Sequence, residues 1–264
     1  MTESRVEISG ELLARLTRYG RVHLREQVSS TNDYAFALAA EQAGDAASPV
    51  PALVLARRQT AARGRFRRRW YSDDDSLTFS LLLFPGAEDP PLPTGQLTLL
   101  AGLAVCRGVE ELTGAQPLIR WPNDVMLSDR KVCGILCEQR KEALVVGVGI
   151  NVNQAAFPEE EPGLAEAGSI RQATDREWEK LELLEAVLRR FFACLEQVRA
   201  GNLPALIEEF KTRSAVLHRR VEAKTMFRRH YGTVVDIDAE GQLIIRRSNG
   251  SIVKVNSGQV RRLR

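Results

Sequence analysis

The stretch RWPNDVMLSDRKVCGILCEQRKEALVVGVGINV, residues 120–152, decides the fold. It contains three apolar runs, 124–128, 131–139 and 143–152, rich in residues that favour β-strands. SDRK at 128–131 is typical of a tight turn between the first two runs. Strands joined by such short turns pair antiparallel, because a parallel pair needs a long crossover connection. The stretch therefore predicts an antiparallel or mixed sheet.

Patterns elsewhere in the chain add strands and helices to this sheet. Strands are predicted at the apolar runs 52–59 and 76–84, and helices at the amphipathic segments 95–113 and 175–198. Another helix is expected to begin near Ser30 or Thr31, since either residue is a good N-cap. The sequence therefore predicts an α+β fold with a mixed central sheet flanked by helices.

The pattern changes near residue 218, where short alternating strands begin. Asn249-Gly250 is a strong signal for a two-residue hairpin turn, and DAEG at 238–241 predicts another turn. A segment of about 45 residues with this pattern is typical of a small β-barrel, here of the SH3-like kind. The predicted domains are residues 1–217 and the barrel 218–264.

The composition is that of a globular protein, with 44% hydrophobic and 27% charged residues. The net charge of +3 is small, so any electrostatic role is local. No apolar run reaches the roughly 18 residues of a membrane span, and the charged N-terminal segment is no secretory signal. The four cysteines, including Cys133 and Cys137, are interpreted as buried apolar residues of a reducing compartment and not as metal ligands. These features predict a soluble, cytoplasmic protein.

Residues 60–70, TAARGRFRRRW, carry five arginines and are expected to form a loop, because they lack any apolar period. Like charges this close repel one another unless an anion binds among them or they spread into water. These residues alone leave open a nucleic-acid patch, a phosphate clamp and a solvated loop.

Several positions in the predicted strands are suited to binding. Lys131 opens a strand after a tight turn and can present a fixed charge to a phosphate or carboxylate, although its position alone favours an ordinary solvated lysine. Gly147 and Gly149 permit close approach of a ligand, or simply close packing of a helix. Asn151 has an amide that can contact a base edge. No G-x-G-x-x-G opens a helix here, and no Walker A loop occurs.

The order of the motifs along the chain is more specific than any one of them. The motifs are SSTN at 29–32, QTAARGRFRRRW at 59–70, WPND at 121–124, DRKVCGILCE at 129–138 and GVGINVN at 147–153, followed by the barrel. In this order, from about residue 22 to the end, the chain resembles the biotin protein ligases. WPND with the following G-I-L-x-E strand is the most specific part.

The resemblance implies a fold related to class II synthetases, with 1–217 as the catalytic domain. Family members form biotinyl-5′-AMP and pyrophosphate from biotin and ATP, with Mg²⁺ bridging ATP oxygens. A lysine of a biotin carboxyl carrier domain, from acetyl-CoA carboxylase or a related carboxylase, then attacks the mixed anhydride. The segment ahead of SSTN is shorter than the DNA-binding domain of many bacterial members, so no DNA binding is expected. The resemblance also favours a homodimer.

The resemblance further implies roles for individual residues. Those implied to bind biotin are Ser30, Thr31, Gln59, Arg63, Gly134 and Gly149. Those implied to bind the nucleotide are Arg65, Trp70, Asn123, Lys131 and Asn151. Lys131, Arg63 and Arg65 are the implied catalytic cations, because fixed positive charge offsets the repulsion between a carboxylate and a phosphate. Asp124 is expected to position a metal ion or Lys131.

The chain departs from the family pattern at a few positions. The loop G-R-G-R-x-G has Ala62 in place of its first glycine and Arg67 in place of its last, and Arg120 replaces the usual lysine before WPND. If residue 62 has a positive φ, alanine costs about 1 kcal/mol or more there. Residues 67–69 are expected to be solvated or paired with Asp73–Asp75.

Three alternatives compete with biotin ligation. A lipoate or octanoate ligase of the same superfamily would share the core fold, and exchange of pyrophosphate with lipoate instead of biotin would reveal it. A basic nucleic-acid-binding protein would use the arginine loop and the barrel, but aromatic residues for base stacking are few. The third alternative is a catalytically inactive scaffold.

Overall fold

The computed structural model describes residues 9–43, 49–86, 88–161 and 163–263, and its fold is α+β. A seven-stranded mixed sheet with helices is followed by a five-stranded antiparallel sheet, so the predicted fold class is confirmed. The predicted domain limits at residues 1 and 264 lie outside the described residues.

The elements have the following bounds. The helices are α1 (Gly10–Leu16), α2 (Thr31–Gln42), α3 (Thr94–Thr113), α4 (Ile170–Thr174), α5 (Lys180–Arg199) and α6 (Leu203–Thr212). The first sheet contains β1 (Arg21–Val28), β2 (Ala52–Gln59), β3 (Ser76–Leu83), β4 (Leu118–Arg120), β5 (Asp124–Leu127), β6 (Arg130–Arg140) and β7 (Ala143–Asn151). The second contains β8 (Arg220–Lys224), β9 (Arg229–Ile237), β10 (Leu243–Arg246), β11 (Ile252–Val255) and β12 (Gln259–Arg262).

The first sheet has the strand order β1-β2-β3-β7-β6-β5-β4, and only the β1–β2 neighbours among these described strands are parallel. Strands β5, β6 and β7 form the meander that the stretch 120–152 predicts. The β5–β6 turn has Ser128 and Asp129 at φ 50° and 59°, the positive values of a two-residue hairpin loop. This turn places Lys131 at the start of β6.

Helices cover both faces of this sheet. Because side chains alternate along a strand, Leu81 of β3 belongs to the core under α3 and α5, whereas its neighbour Leu82 packs with Phe36 of α2. Strand β7 is buried along its whole length between the two layers. Its glycines therefore face packed side chains or a cavity and not bulk water.

The second sheet has the order β11-β10-β9-β8-β12 and is antiparallel throughout. The predicted two-residue turn at Asn249-Gly250 is wrong. The loop has three residues, closed by the bond from Arg247 N to Ser251 O (2.9 Å), with Gly250 at φ 83°. One left-handed residue at the end of a three-residue loop matches the twist of the strands, and glycine adopts it without strain.

The two sheets share a core through the WPND motif. Trp121 is buried, and its indole N–H donates to the carbonyl of Gly241, in the turn between β9 and β10 (2.9 Å). The second sheet is thereby fixed beside the strand ends that carry the sequence motifs.

The predicted helix over 175–198 begins later than expected. Asp175 adopts a left-handed conformation (φ 52°) that ends α4, and α5 starts only at Lys180. Between the helices, Trp178 N donates to the Asn153 side chain (2.9 Å), which holds this connection against the end of β7.

The four cysteines have free thiols. Burial raises the pKa of Cys106 and Cys137 to about 12, so both thiols stay protonated and unreactive near neutral pH. Among the described residues, none of the helices has the length and apolar character of a membrane span.

Candidate functional site

A cavity of about 800 Å³ lies between the two sheets, where β6 and β7 carry their glycines. It is bordered by the start of α2, the end of β2, the arginine loop, the segment 163–167 and the edge of the second sheet formed by β8 and β12. The predicted site residues that line it are Ser30, Thr31, Gln59, Arg63, Arg65, Trp70, Asn123, Asp124, Lys131, Gly134 and Asn151. The structure thus brings together residues that lie up to about 120 positions apart in the chain.

One end of the cavity is a polar recess at the start of α2. Ser30 is the N-cap of the helix and accepts from Asp33 N (3.4 Å). Thr31 N donates to the Gln59 side-chain oxygen (2.8 Å), which leaves the Gln59 amide nitrogen without a protein partner among the described residues. A buried bicyclic ligand with a urea group would find donors and acceptors here.

Asn32 is a residue of this recess that the sequence did not indicate. It is 4% exposed, and its amide nitrogen donates to Leu136 O (3.2 Å) and Glu138 Oε2 (2.8 Å). The Ser80 hydroxyl lies 2.7 Å from both Asn32 Oδ1 and Thr31 Oγ1. Asn32 belongs to the SSTN motif at 29–32, but the sequence predicts for it only a place at the start of a helix.

Residue 147 must be a glycine because the Asn32 side chain occupies the space where a Cβ would lie. A Cβ on Gly147 would lie 2.1 Å from Asn32 Oδ1, a distance that no side chain tolerates. Gly147 lines the cavity and Gly149, which was predicted to contact biotin, is not among the lining residues.

Gly149 does not line the cavity because the Trp70 side chain lies over it. The Trp70 indole covers Gly134 and Gly149, which are cross-strand partners in β6 and β7. A Cβ would lie 2.8 Å from Trp70 Cζ3 at Gly134, and 2.5 Å from Trp70 Cε2 at Gly149. The two glycines therefore form a flat seat for the indole, which separates the polar recess from the charged end of the cavity. The direct contact of Gly149 with biotin stays a prediction, and in this structure the Trp70 ring lies over Gly149.

The charged end of the cavity is organised around Asp124. One carboxylate oxygen lies 2.6 Å from Lys131 Nζ, and the other accepts from Arg120 (3.0 Å). Arg120 also pairs with Glu166 (2.6 Å), in the segment that lies beside the start of β6. Burial alone would lower the pKa of Arg120, but Asp124 and Glu166 outweigh it and the pKa is raised. Arg120 therefore holds its charge in this half-buried position.

The role of Asp124 as a metal ligand stays a prediction. Both of its oxygens are occupied by cationic side chains. Within the described ranges, no group of three or more His, Cys, Asp or Glu side chains could hold a metal ion. The geometry instead favours the alternative expectation, in which Asp124 positions Lys131.

The first two arginines of the loop point in different directions. The Arg63 guanidinium makes two 2.6 Å bonds to Asp33 and lowers the pKa of that carboxyl. The structure therefore places the Arg63 guanidinium against Asp33 of α2, at the border of the cavity. Arg65 turns inward to Asn123 (3.5 Å) and to Ser257 of the second sheet (2.6 Å), and burial lowers its pKa.

Arg68 and Arg69 do not pair with Asp73–Asp75. Arg68 donates to Gln259 (2.6 Å) and Arg69 to Glu161 (3.1 Å), whereas Asp74 accepts from Arg57 and Arg58 in β2. The side chain of Arg67 lies outside the described residues. The loop is thus tied to the second sheet as well as to the first.

Backbone strain in the loop lies at Phe66 and not at Ala62. Ala62 is buried and is absent from the residues with positive φ, so the methyl group causes no left-handed strain there. Phe66 has φ 58° and ψ 33°, a conformation that costs a non-glycine residue roughly 1–2 kcal/mol.

We expect Phe66→Gly to be more stable than Phe66→Ala by about 1 kcal/mol, because only glycine adopts this conformation without a Cβ penalty. Both variants lose the ring, so their difference reports the backbone alone. Urea denaturation of the two proteins measures it, and equal midpoints would show that the loop is not held in this conformation.

Three buried polar atoms at the charged end have no hydrogen-bond partner among the described residues: Asp124 Oδ1, Asn151 Oδ1 and Trp70 Nε1. Asp124 Oδ1 is in an ion pair with Lys131 Nζ (2.6 Å), whereas Asn151 Oδ1 and Trp70 Nε1 have no such contact. The Asn151 amide nitrogen donates to Gly168 O (2.9 Å), which fixes the side chain with its oxygen turned away from that carbonyl. Unpaired buried polar atoms are costly, so this pair of atoms suits a ligand that supplies a donor and an acceptor.

The chain is similar to known proteins along most of its length. Residues 24–154 match the biotin/lipoate A/B protein ligase family and residues 219–261 the biotin protein ligase C-terminal domain. A biotin–[acetyl-CoA-carboxylase] ligase of Paracoccus denitrificans is 32% identical over 83% of this chain and 92% of its own. The bifunctional ligase/repressor BirA of Bacillus subtilis strain 168 is 34% identical over 88% of this chain and 71% of its own. The biotin protein ligase of Aquifex aeolicus in complex with biotin and ATP superposes with a TM-score of 0.79 and 30% identity, covering 92% of this chain and 99% of its own.

Proposed function

The chain belongs to the biotin protein ligase family, and from this premise we propose that it is a biotin–[acetyl-CoA-carboxylase] ligase. It forms biotinyl-5′-AMP from biotin and ATP and transfers biotin to a lysine of a biotin carboxyl carrier protein. The observation that carries the proposal is the single cavity that joins an uncharged polar recess to a cationic end, with Trp70 between them.

Biotin binds with its ureido ring in the recess formed by Thr31, Asn32 and Gln59. The Gln59 amide nitrogen and the Asn32 network support this orientation, because a buried urea needs both donors and acceptors. Its carboxylate extends past Trp70 toward Lys131. The nucleotide binds at the other end, where the unpaired oxygen of Asn151 accepts from the adenine amino group.

The first step forms a bond between a biotin carboxylate oxygen and the α-phosphorus of ATP. The bond between that phosphorus and the bridging oxygen breaks, and pyrophosphate leaves. Lys131 and Arg65 lie where they offset the repulsion between the two anions and stabilise the charge that develops on the α-phosphate. Asp124 orients Lys131 and does not contact the reacting atoms.

In the second step the amine of the acceptor lysine attacks the carbonyl carbon of the adenylate. The bond from that carbon to the phosphate oxygen breaks, AMP leaves, and the amine loses a proton. None of the residues assigned here acts as a covalent nucleophile. The arginine loop, tied to Ser257 and Gln259, keeps water from the anhydride between the two steps.

Mg²⁺ would be carried by the phosphates of ATP, because no group of three or more His, Cys, Asp or Glu side chains among the described residues could hold it, and it would offset part of the phosphate charge. The partner is the carrier domain of acetyl-CoA carboxylase or a related carboxylase. We place the enzyme in the cytoplasm, where free thiols such as those of this chain persist, and expect a homodimer. The catalytic domain is residues 1–217 and the second domain 218–264.

The proposal predicts pyrophosphate exchange into ATP that depends on biotin. We expect exchange with biotin and none with lipoate or octanoate, because the recess presents polar groups suited to a ureido ring. Exchange supported by lipoate alone would contradict the proposal, as would salt-sensitive nucleic-acid binding without any biotin-dependent exchange.

A further inference from the structure

The turn between β8 and β9 exposes two large apolar side chains. Met226 is 74% exposed and Phe227 is 88% exposed, in a turn closed by the bond from Thr225 N to Arg228 O (2.8 Å). Side chains of this size at the end of a short turn contribute nothing to the core. Neighbouring exposed apolar residues of this kind mark surfaces that bind another molecule.

This turn lies at the mouth of the cavity. Its flanking residues Lys224 and Arg229 are cross-strand partners, and both line the cavity. Arg261 of β12, opposite Glu222 in the register, lines it as well. The apolar turn therefore begins one residue beyond the rim through which a substrate must pass.

The surface around the turn is basic. Lys224, Arg228, Arg229 and Arg261 are exposed there. The carboxylate of Glu222 pairs with Arg229 (2.8 Å) and Arg261 (3.0 Å) and offsets one of these four positive charges, so the surface stays net basic. Such a surface fits a partner that presents acidic side chains around an apolar contact.

We propose that the turn 225–228 is a docking contact for the acceptor protein, whose lysine enters the adjoining cavity. The inference rests on the proposed function. Biotin and ATP bind inside the cavity in the proposed function, and Phe227 is not among the residues that line it. The acceptor is the one protein substrate of the reaction, and its backbone must stop at the rim while its lysine reaches the adenylate.

The two half-reactions separate this role from the chemistry. Biotin-dependent pyrophosphate exchange involves no acceptor, whereas transfer from biotinyl-AMP to a purified biotin carboxyl carrier protein does. For Met226→Ala/Phe227→Ala we expect exchange within about twofold of the parent, and kcat/KM for the carrier at least about tenfold lower, as for truncated interface anchors. Arg228→Glu is expected to slow transfer mainly at low salt, because it removes electrostatic steering.

The matched control is Ile252→Ala, an exposed apolar residue (52%) on β11 at the far edge of the same sheet. It is expected to leave both half-reactions unchanged. Unaltered transfer by the double variant would overturn the inference. So would an equal loss in both half-reactions, or a loss only of self-association, vesicle binding or nucleic-acid binding. Failure of the parent protein to catalyse exchange would instead refute the proposed function.

Discussion

Lys131→Ala is expected to slow formation of biotinyl-AMP by at least about a hundredfold. The lysine lies 2.6 Å from Asp124 and 5.5 Å from the centre of the Trp70 ring, at the boundary between the recess and the nucleotide end. It is thus the cation best placed to contact both the biotin carboxylate and the α-phosphate. Removing it leaves two anions to approach each other beside Asp124, whose remaining ion pair is with Arg120 (3.0 Å).

Pyrophosphate exchange under saturating biotin and ATP measures this effect on the first step. Lys131→Arg is the matched variant, because it keeps the charge but replaces a compact ammonium with a planar fork. We expect it to recover only part of the rate. Biotin binding without ATP should weaken far less than the rate falls, since the recess remains intact. Exchange within about threefold of the parent for Lys131→Ala would refute the assignment.

Turns, helix caps and strands could be predicted from the sequence, because each depends on residues that are neighbours in the chain. The turn at Ser128 and Asp129 could be recognised because serine and aspartate are common turn residues, and in the structure both have the positive φ of a two-residue hairpin loop. Once that turn is fixed, Lys131 must lie at the start of β6, next to its first residue Arg130. The same local logic predicted an N-cap at Ser30 or Thr31, which is Ser30 in the structure, and an apolar strand over 143–152, which is the buried strand β7.

The sequence could not predict which distant side chains meet. Trp70 on Gly149, Asn32 on Gly147 and Arg63 on Asp33 join residues that are between about 30 and 115 positions apart, and no local pattern encodes such contacts. Each contact changed an expectation. Trp70 covers Gly149, Asn32 is an additional residue of the site, and the Arg63 guanidinium binds Asp33. The motif order located the site, but the division of roles within it required the packing.

Gly147→Ala is expected to weaken biotin binding by at least tenfold and to lower the free energy of unfolding by about 1–3 kcal/mol. The new methyl group would lie 2.1 Å from Asn32 Oδ1 and 3.0 Å from Asn32 Nδ2. Asn32 cannot simply retreat, because Leu136 O, Glu138 and Ser80 hold its amide in a buried network. The substitution must therefore displace the network that we propose to hold the ureido ring.

Calorimetry with biotin in the absence of ATP, paired with urea denaturation, separates the two effects. Gly95→Ala is the matched control, since a Cβ there meets nothing within 4 Å; it should leave biotin affinity unchanged and should not lower the free energy of unfolding, because alanine favours a helix more than glycine does. Gly147→Ala combined with Asn32→Ala relieves the clash, so it should recover stability relative to Gly147→Ala but not biotin affinity. The two substitutions would then be non-additive in unfolding, as contacting residues are. Full recovery of affinity would show that Asn32 only fills space, and parental binding by Gly147→Ala would place biotin elsewhere.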